Sequence, residues 1–390
     1  MTGNEIDKTA GTCCGVSGSD APGEQPCCRF PHGATQEADN ASAPFPPWIE
    51  DALTTPLGNV PRVAARLTLA DRLGTWKARW GVGRMRYAVP PGLYALGDPA
   101  PESPVLVSAN YKMSFDRLRS QLGGRDAWIL VLDTRGINVW CAAGKGTFGT
   151  DEIVTRAEAA RLREVVSHRT LVLPQLGAPG VAAHEVRRRS GFRVRYGPVR
   201  AQDLPAYLDA GMEATPEMRR VRFPFLDRVV LIPVELMLAG KWMLLAAVAF
   251  FVLSGLSRQG YSLSRLVEAG PRSVSLLILG YLAGAALTPA LLPWIPFRAF
   301  SGKGALLGLL VAIGAVAPRW LRPGGVENPL DAAAWLFTIP AVSSFLAMNF
   351  TGASTYTSLS GVRREVRDAM PWQGIGGGIG VALWVIGRFV

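Results

Sequence analysis

Between about residues 47 and 225 the chain alternates short, apolar, β-rich runs with stretches of helical periodicity. SPVLVSA (103–109), AWILVLD (127–133), GINVWCA (136–142) and RTLVLPQ (169–175) have the length and composition of buried strands. In DEIVTRAEAARLREVVS (151–167), Ile153, Ala157, Ala160 and Val165, with Leu162, form one apolar stripe, which predicts an amphipathic helix. Strands alternating with helices predict an α/β domain, a Rossmann-like layered sheet with helices packed on it.

The pattern then changes period. SVSLLILGYLAGAALTPALLPWIP (273–296) carries no charge, over more than the roughly 20 residues that span a bilayer as a helix. With 236–256, 303–318, 332–350 and 373–390 it predicts an all-α transmembrane domain of about five helices. Lys241, near one end of the first span, can snorkel. GIGGGIG (374–380) permits close helix packing, and Trp320, Trp335, Trp372 and Trp384 near span ends read as interfacial anchors.

Three segments follow: a disordered tail (1–47), an α/β domain (48–225) and a transmembrane domain (226–390). The tail is polar and rich in Pro and Gly, with too little apolar surface to offset ordering entropy. Five spans put the α/β domain and the stretch 351–371 on the same side, and Arg363, Arg364 and Arg367 there favour the cytoplasm, although arginines in 257–272 oppose this. The Ser/Thr-rich STYTSLSG (354–361) reads as an ordinary polar connector.

A net charge of +11 raises nucleic acid as a partner. Many basic residues, however, lie between or beside the apolar runs, where membrane topology explains them, and no aromatic–basic RNA-binding signature is present. The reading is therefore a membrane protein with no nucleic-acid partner. The N-terminus lacks a basic region followed by an apolar stretch, which argues against a secretory signal.

Candidate chemistry centres on sulfur. Of the five cysteines, Cys13, Cys14, Cys27 and Cys28 form two adjacent pairs in the tail, and only Cys141 lies in the α/β domain. The tail pairs do not have the spacing of a zinc or iron–sulfur site, but thiolates on one tether can capture a soft metal ion. Around Cys141 a phosphate-binding loop is excluded, because Val139 replaces the first glycine and Gly146 the Ser or Thr after Lys145. Three readings stay open: a buried small hydrophobe, a nucleophile served by His168 or His184, and a metal ligand. The third draws on the small residues Ala142, Ala143 and Gly144, which let a flat object approach the backbone, and on a helix start that would favour the thiolate.

NVWCAAGK (138–145) resembles, at every position, the signature N-[VI]-W-C-A-[AG]-G-K of the HgcA-type corrinoid proteins of microbial mercury methylation. NFTGASTYTSLSGVRRE (349–365) is similar to a sequence in that wider group, and the resemblance covers roughly residues 48–390. It implies a cytoplasmic corrinoid-binding domain, related to that of corrinoid iron–sulfur proteins, ahead of five spans in the inner membrane. It also implies a cobalamin-type corrinoid with Cys141 as the lower axial ligand of cobalt. Asn138, Val139, Trp140, Ala142, Ala143, Gly144 and Lys145 would then form the cap-helix region under the ring, with Lys112 and Asp133 as candidate partners of its amides.

The activity implied is methyl transfer from methyl-Co(III) corrinoid to Hg(II), held as a thiolate complex, giving methylmercury. An HgcB-type ferredoxin with two 4Fe–4S clusters would supply electrons, and a methyltetrahydrofolate-dependent system the methyl group. The chain lacks the D-x-H-x-x-G pattern of histidine-ligated corrinoid proteins and a four-cysteine cluster motif. Alternatives are a corrinoid methyl carrier with another acceptor, and a soft-metal membrane transporter or sensor.

Overall fold

The computed structural model describes residues 46–56, 58–320, 328–353 and 359–390. Cys13, Cys14, Cys27 and Cys28, and most of STYTSLSG, lie outside the described residues. Seven strands, β1 (Ile49–Thr55), β2 (Gly58–Val63), β3 (Gly92–Leu96), β4 (Val105–Ala109), β5 (Ala127–Leu132), β6 (Thr170–Leu173) and β7 (Arg193–Tyr196), form one sheet in the order β1-β2-β3-β5-β4-β6-β7. β5, β4, β6 and β7 run parallel, whereas β3 is antiparallel to β5, and β1–β2 is an antiparallel hairpin. The central strands β4 and β5 are buried throughout, which is why they read as continuous apolar runs rather than alternating ones.

Helices α1 (Leu69–Arg79), α2 (Lys112–Arg119), α3 (Val139–Lys145), α4 (Thr150–Ala159), α5 (Leu162–Val165), α6 (Ala183–Ser190) and α7 (Leu204–Asp209) complete the domain. Two sequence expectations change here. GINVWCA is not a strand: Arg135 and Gly136 both take positive φ, 57° and 70°, which ends the extended chain after β5, and Asn138 then caps α3. The single helix expected over 151–167 is broken, because Arg161 adopts a left-handed conformation between α4 and α5. Its apolar stripe nevertheless survives the break, with Ile153, Ala157, Leu162 and Val165 all in the core.

Under the first helix sits a buried charge cluster. Asp71, in the first turn of α1, caps Thr68 and accepts from Lys112 Nζ at 2.7 Å and Arg119 Nη2 at 2.8 Å. Asp116 accepts from both cations, and the fully buried Arg119 also donates to the carbonyl of Ala64. Lys112 is therefore committed to the interior, which removes it as a partner for a ligand's amides. Burial alone would raise the Asp71 carboxyl, but the hydrogen bonds from Lys112, Thr68 and Arg119 outweigh it and hold the group well below the usual carboxylate range.

Beyond α7, α8 (Pro216–Arg219) and α9 (Phe225–Val229) lead into α10 (Ile232–Leu253), α11 (Leu263–Leu282), α12 (Thr288–Leu291), α13 (Phe300–Trp320), α14 (Pro329–Asn349) and α15 (Leu359–Ile386). Among the described residues, five helical stretches are long and apolar enough to cross a membrane: Phe225–Leu253, Leu263–Leu291, Phe300–Ala317, Pro329–Asn349 and Ser360–Ile386. The last starts well before residue 373, so Arg363, Arg364 and Arg367 lie in its first turns rather than in a loop.

Close backbone contact holds the bundle. A Cβ on Gly304 or Gly308 would meet α14 at 2.5 or 2.8 Å, and one on Gly380 would meet Thr338 Oγ1 at 2.2 Å. Trp335 and Trp384 are not interfacial; both are buried against Phe250, with ring centroids 5.5 and 4.7 Å away. Trp372, by contrast, is exposed.

The two parts are tied together through the segment between them. Arg200 pairs with Asp227 at 2.6 Å, and buried Arg228 donates to the carbonyls of Pro289 and Ala290 at the end of the second span. Phe223 stacks on Phe350 at the end of the fourth, so that end faces the α/β domain.

Breaking the charge cluster leaves a buried ion unpaired, and Arg119→Ala is expected to cost about 3–5 kcal/mol of α/β-domain stability. The Asp71 pKa is depressed on folding, so its contribution is whole at neutral pH and fades as pH falls below roughly 4. Thermal melts of wild type and Asp71→Asn should converge on acidification; a constant gap would contradict the assignment.

Candidate functional site

In open parallel sheets ligands bind beyond the carboxyl ends of the strands, and α3 lies at that edge, following β5. Its orientation is set from β4. Asn110, the buried residue just past β4, accepts the N–H of Thr134 at 3.2 Å and of Gly136 at 2.9 Å on Oδ1, and its Nδ2 donates to Asp133 at 3.3 Å. Thr134 then donates to the carbonyl of Ile137 at 2.7 Å. The turn that delivers α3 is thereby fastened to the neighbouring strand. Gly136 needs both its positive φ and its lack of side chain, since a Cβ would stand 3.2 Å from the carbonyl of Met85.

Asn138 occupies the N-cap of α3, where its Oδ1 accepts the N–H of Cys141 at 2.9 Å. Gly146, at φ 79°, ends the helix after Lys145. Successive side chains turn by about 100° around a helix. Val139, Ala142 and Ala143 accordingly face the sheet, with both alanines buried, while Gly144 and Lys145 are exposed and Trp140 and Cys141 half-buried.

The smallness of the two alanines has a structural cause. The 3₁₀ turn Gln175–Gly180 lies directly on α3, and a Cβ at Gly180 would stand 3.0 Å from Ala143 Cα and 2.3 Å from the Phe148 carbonyl. Of the three small residues, only Gly144 leaves open ground on the outward face, with nothing within 4 Å of a Cβ built there.

The buried-hydrophobe reading of Cys141 does not fit a half-buried position on the outward side. The nucleophile reading loses its bases. His168 precedes β6, at the opposite end of the sheet, with Nδ1 accepting from Thr170 and Nε2 against the Ser103 carbonyl at 2.9 Å. His184 is exposed and stands beside Glu185 at 3.6 Å.

The thiol's electrostatic neighbour is Tyr111, the N-cap residue of α2. Burial pushes its hydroxyl up, Arg84 and Arg79 oppose that, and a charge on Cys141 adds to it. Asp133 is exposed and joined to Asn110 and to the N–H of Arg135.

Among the described residues no three His, Cys, Asp or Glu side chains are grouped to hold a metal ion. A metal held at α3 through Cys141 would therefore have to bring most of its ligands with it, as one in a macrocycle does. The donor set and ground fit such a group: a soft sulfur on the outer face of a capped helix, one turn from a glycine with no neighbours. A cavity of about 910 Å³ lies elsewhere, among the third, fourth and fifth spans, lined by Arg298, Arg364, Glu365, Asp368 and Gln373 among others.

Sequence reasoning found the α3 residues and missed what holds them. Asn110, Thr134 and Gly180 act through long-range contacts; the only local signal was a polar residue directly after an apolar run. If the cap holds the helix, Asn138→Ala should cost about 1 kcal/mol and speed amide exchange at Cys141 and its neighbours in α3, with β4 and β5 unaffected. Unchanged exchange in α3 would show that the cap is dispensable.

Residues 82–208 match the protein family described as CO dehydrogenase/acetyl-CoA synthase delta subunit. The chain is 32% identical over 123 residues to the acetyl-CoA decarbonylase/synthase complex subunit gamma of Archaeoglobus fulgidus, covering 31% of this chain and 26% of that protein. The Methanopyrus kandleri subunit gives the same identity and coverage, and that of Methanothermobacter thermautotrophicus is 31% identical over 128 residues, covering 32% of this chain and 28% of its own length. The chain thus spans about a quarter of the length of the curated relatives it matches. Over residues 82–208 the chain is similar to the corrinoid iron–sulfur protein family, the wider group to which the sequence resemblance pointed.

Proposed function

We propose that this chain is a membrane-anchored corrinoid methyl-transfer protein in which Cys141 would hold the cobalt of the corrinoid, and that Hg(II), delivered as a thiolate complex, is its methyl acceptor. The observation that carries the reading is the placement of the Cys141 sulfur on the outward face of α3, within NVWCAAGK, in a domain similar to corrinoid iron–sulfur proteins. When bound, the corrinoid supplies a cobalt centre that accepts a methyl group and gives it up.

The chain's own residues do the rest. Asn138 holds the backbone of the first turn of α3, from which the sulfur projects, and Asn110 fixes the preceding turn to the sheet. Gly144 would leave room for the ring's edge, since nothing stands within 4 Å of a Cβ built there. A thiolate donates electron density strongly to a metal, as in thiolate-ligated haem, so Cys141 would make a cobalt centre held there more electron-rich, which suits transfer to an electrophile such as Hg(II).

The remaining cysteines form two adjacent pairs rather than a cluster motif. Reducing equivalents are therefore assigned to an HgcB-type ferredoxin, and the methyl group to a methyltetrahydrofolate-dependent donor. The arginines at the start of the fifth span support a cytoplasmic α/β domain on the inner membrane. The transporter reading is weaker: the cavity among the spans is lined by no cysteine or histidine, so a soft ion meets no soft donor there.

Protein purified without oxygen and loaded with corrinoid should show an absorption spectrum that changes in Cys141→Ala, together with loss of methylmercury formation from a methyl donor, Hg(II) thiolate and the ferredoxin. An unchanged spectrum would remove the axial role. A changed spectrum with no methylmercury from wild type would keep the ligation and reassign the acceptor.

A further inference from the structure

Helix α1 is amphipathic in the inverse sense. Its one acid and its small residues face inward: Asp71 enters the buried cluster with Lys112 and Arg119, Ala78 is buried, and a Cβ on Gly74 would meet the Tyr87 hydroxyl at 2.5 Å. Its apolar residues face outward. Leu69, Leu73 and Trp76, spaced i, i+4, i+7 on one stripe, are 73%, 51% and 59% exposed, and Val82 and Met85 just beyond are 59% and 70% exposed. The helix cannot roll this stripe inward without breaking the ion pairs on its other side.

Two further features say what meets the stripe. The first is position: Gly81, two residues past α1, lies against Met237 of the first span, with 3.7 Å from its built Cβ to Met237 Cβ, and Arg84 is within electrostatic reach of Glu235. That level of α10 carries Lys241 with its ammonium 5.1 Å from the Trp242 ring centre, an arrangement suited to the membrane–water boundary. The second is charge, since exposed Arg72 and Lys77 flank the stripe and exposed Arg86 follows it, the arrangement of helices that lie in an anionic lipid interface. Helix α1 also precedes the segment, 82–208, that matches the family.

We propose that α1 and the turn after it form an interfacial membrane anchor: Leu69, Leu73, Trp76, Val82 and Met85 enter the headgroup–acyl boundary, and Arg72, Lys77 and Arg86 meet anionic headgroups. The α/β domain then rests on the bilayer rather than standing off on a tether, with the exposed face of α1 turned to lipid. The proposal depends on the apolar helices spanning the bilayer and not on the chemistry at Cys141.

The test uses the full chain in phosphatidylethanolamine/phosphatidylglycerol vesicles, with Cys13, Cys14, Cys27 and Cys28 replaced by serine and Cys141→Ala, so that one nitroxide is attached at a time. Labels go on Leu73→Cys and Val82→Cys, with Leu245→Cys on the first span as a lipid control and Arg188→Cys on α6 as a water control; each original side chain is exposed, so folding is preserved. Labels at 73 and 82 should collide with oxygen, as at 245, and lose the access to a water-soluble nickel complex that the label at 188 keeps.

Nickel access at 73 and 82 equal to that at 188, with 245 in lipid, would overturn the anchor. Exclusion from both reagents would overturn it in favour of a protein covering. Water-like behaviour at 245 would overturn the membrane reading itself, and the anchor with it.

Discussion

One buried amide fixes the site. Asn110 receives two backbone N–H groups from the turn after β5 on a single oxygen and ties that turn to the end of β4. Without that clamp, nothing local would decide how the short helix α3 leaves the sheet, because seven residues hold too few internal hydrogen bonds to persist alone. With it, and with Asn138 at the cap, Ala142 and Ala143 are driven against the core and the Gln175–Gly180 turn, which leaves Cys141 and Gly144 on the other side. A sulfur on an outward helical face whose backbone is already fixed is suited to ligation, since the cost of ordering that backbone is met during folding.

The same economy of position links the domain to the membrane helices. Arg200 with Asp227, Arg228 with the end of the second span, and Phe223 with Phe350 hold the linker at three places, and the turn after α1 approaches the first span at Gly81 and Met237. These contacts make the orientation of the α/β domain a property of the fold rather than of a flexible tether. They also put the ends of the second and fourth spans on the side of the sheet domain.

Much of the architecture was legible because periodicity reports burial. β4, β5 and β6 are buried on both faces, and the runs 103–109, 127–133 and 169–175 read accordingly. The edge hairpin β1–β2 is only partly buried and left no comparable run. GINVWCA misled because Ile137 and Val139 pack on the core from a turn and a helix, which apolar character alone cannot distinguish from a strand. Arg161 broke the long helix through a backbone conformation that its side chain does not advertise. Trp335 and Trp384 sit near span ends in sequence, yet packing of the spans buries both. At the site, the motif itself was visible; Asn110 and Gly180 were not, because their roles exist only once distant segments meet.

Whether the Cys141 sulfur is bonded to cobalt decides the rest, and cobalt-edge X-ray absorption of the corrinoid-loaded full chain reads that bond directly. Ligation by Cys141 predicts a sulfur neighbour in the first shell of the metal that disappears in Cys141→Ser while the ring stays bound. A first shell of nitrogen and oxygen alone in the wild-type protein, with the ring in place, would contradict it.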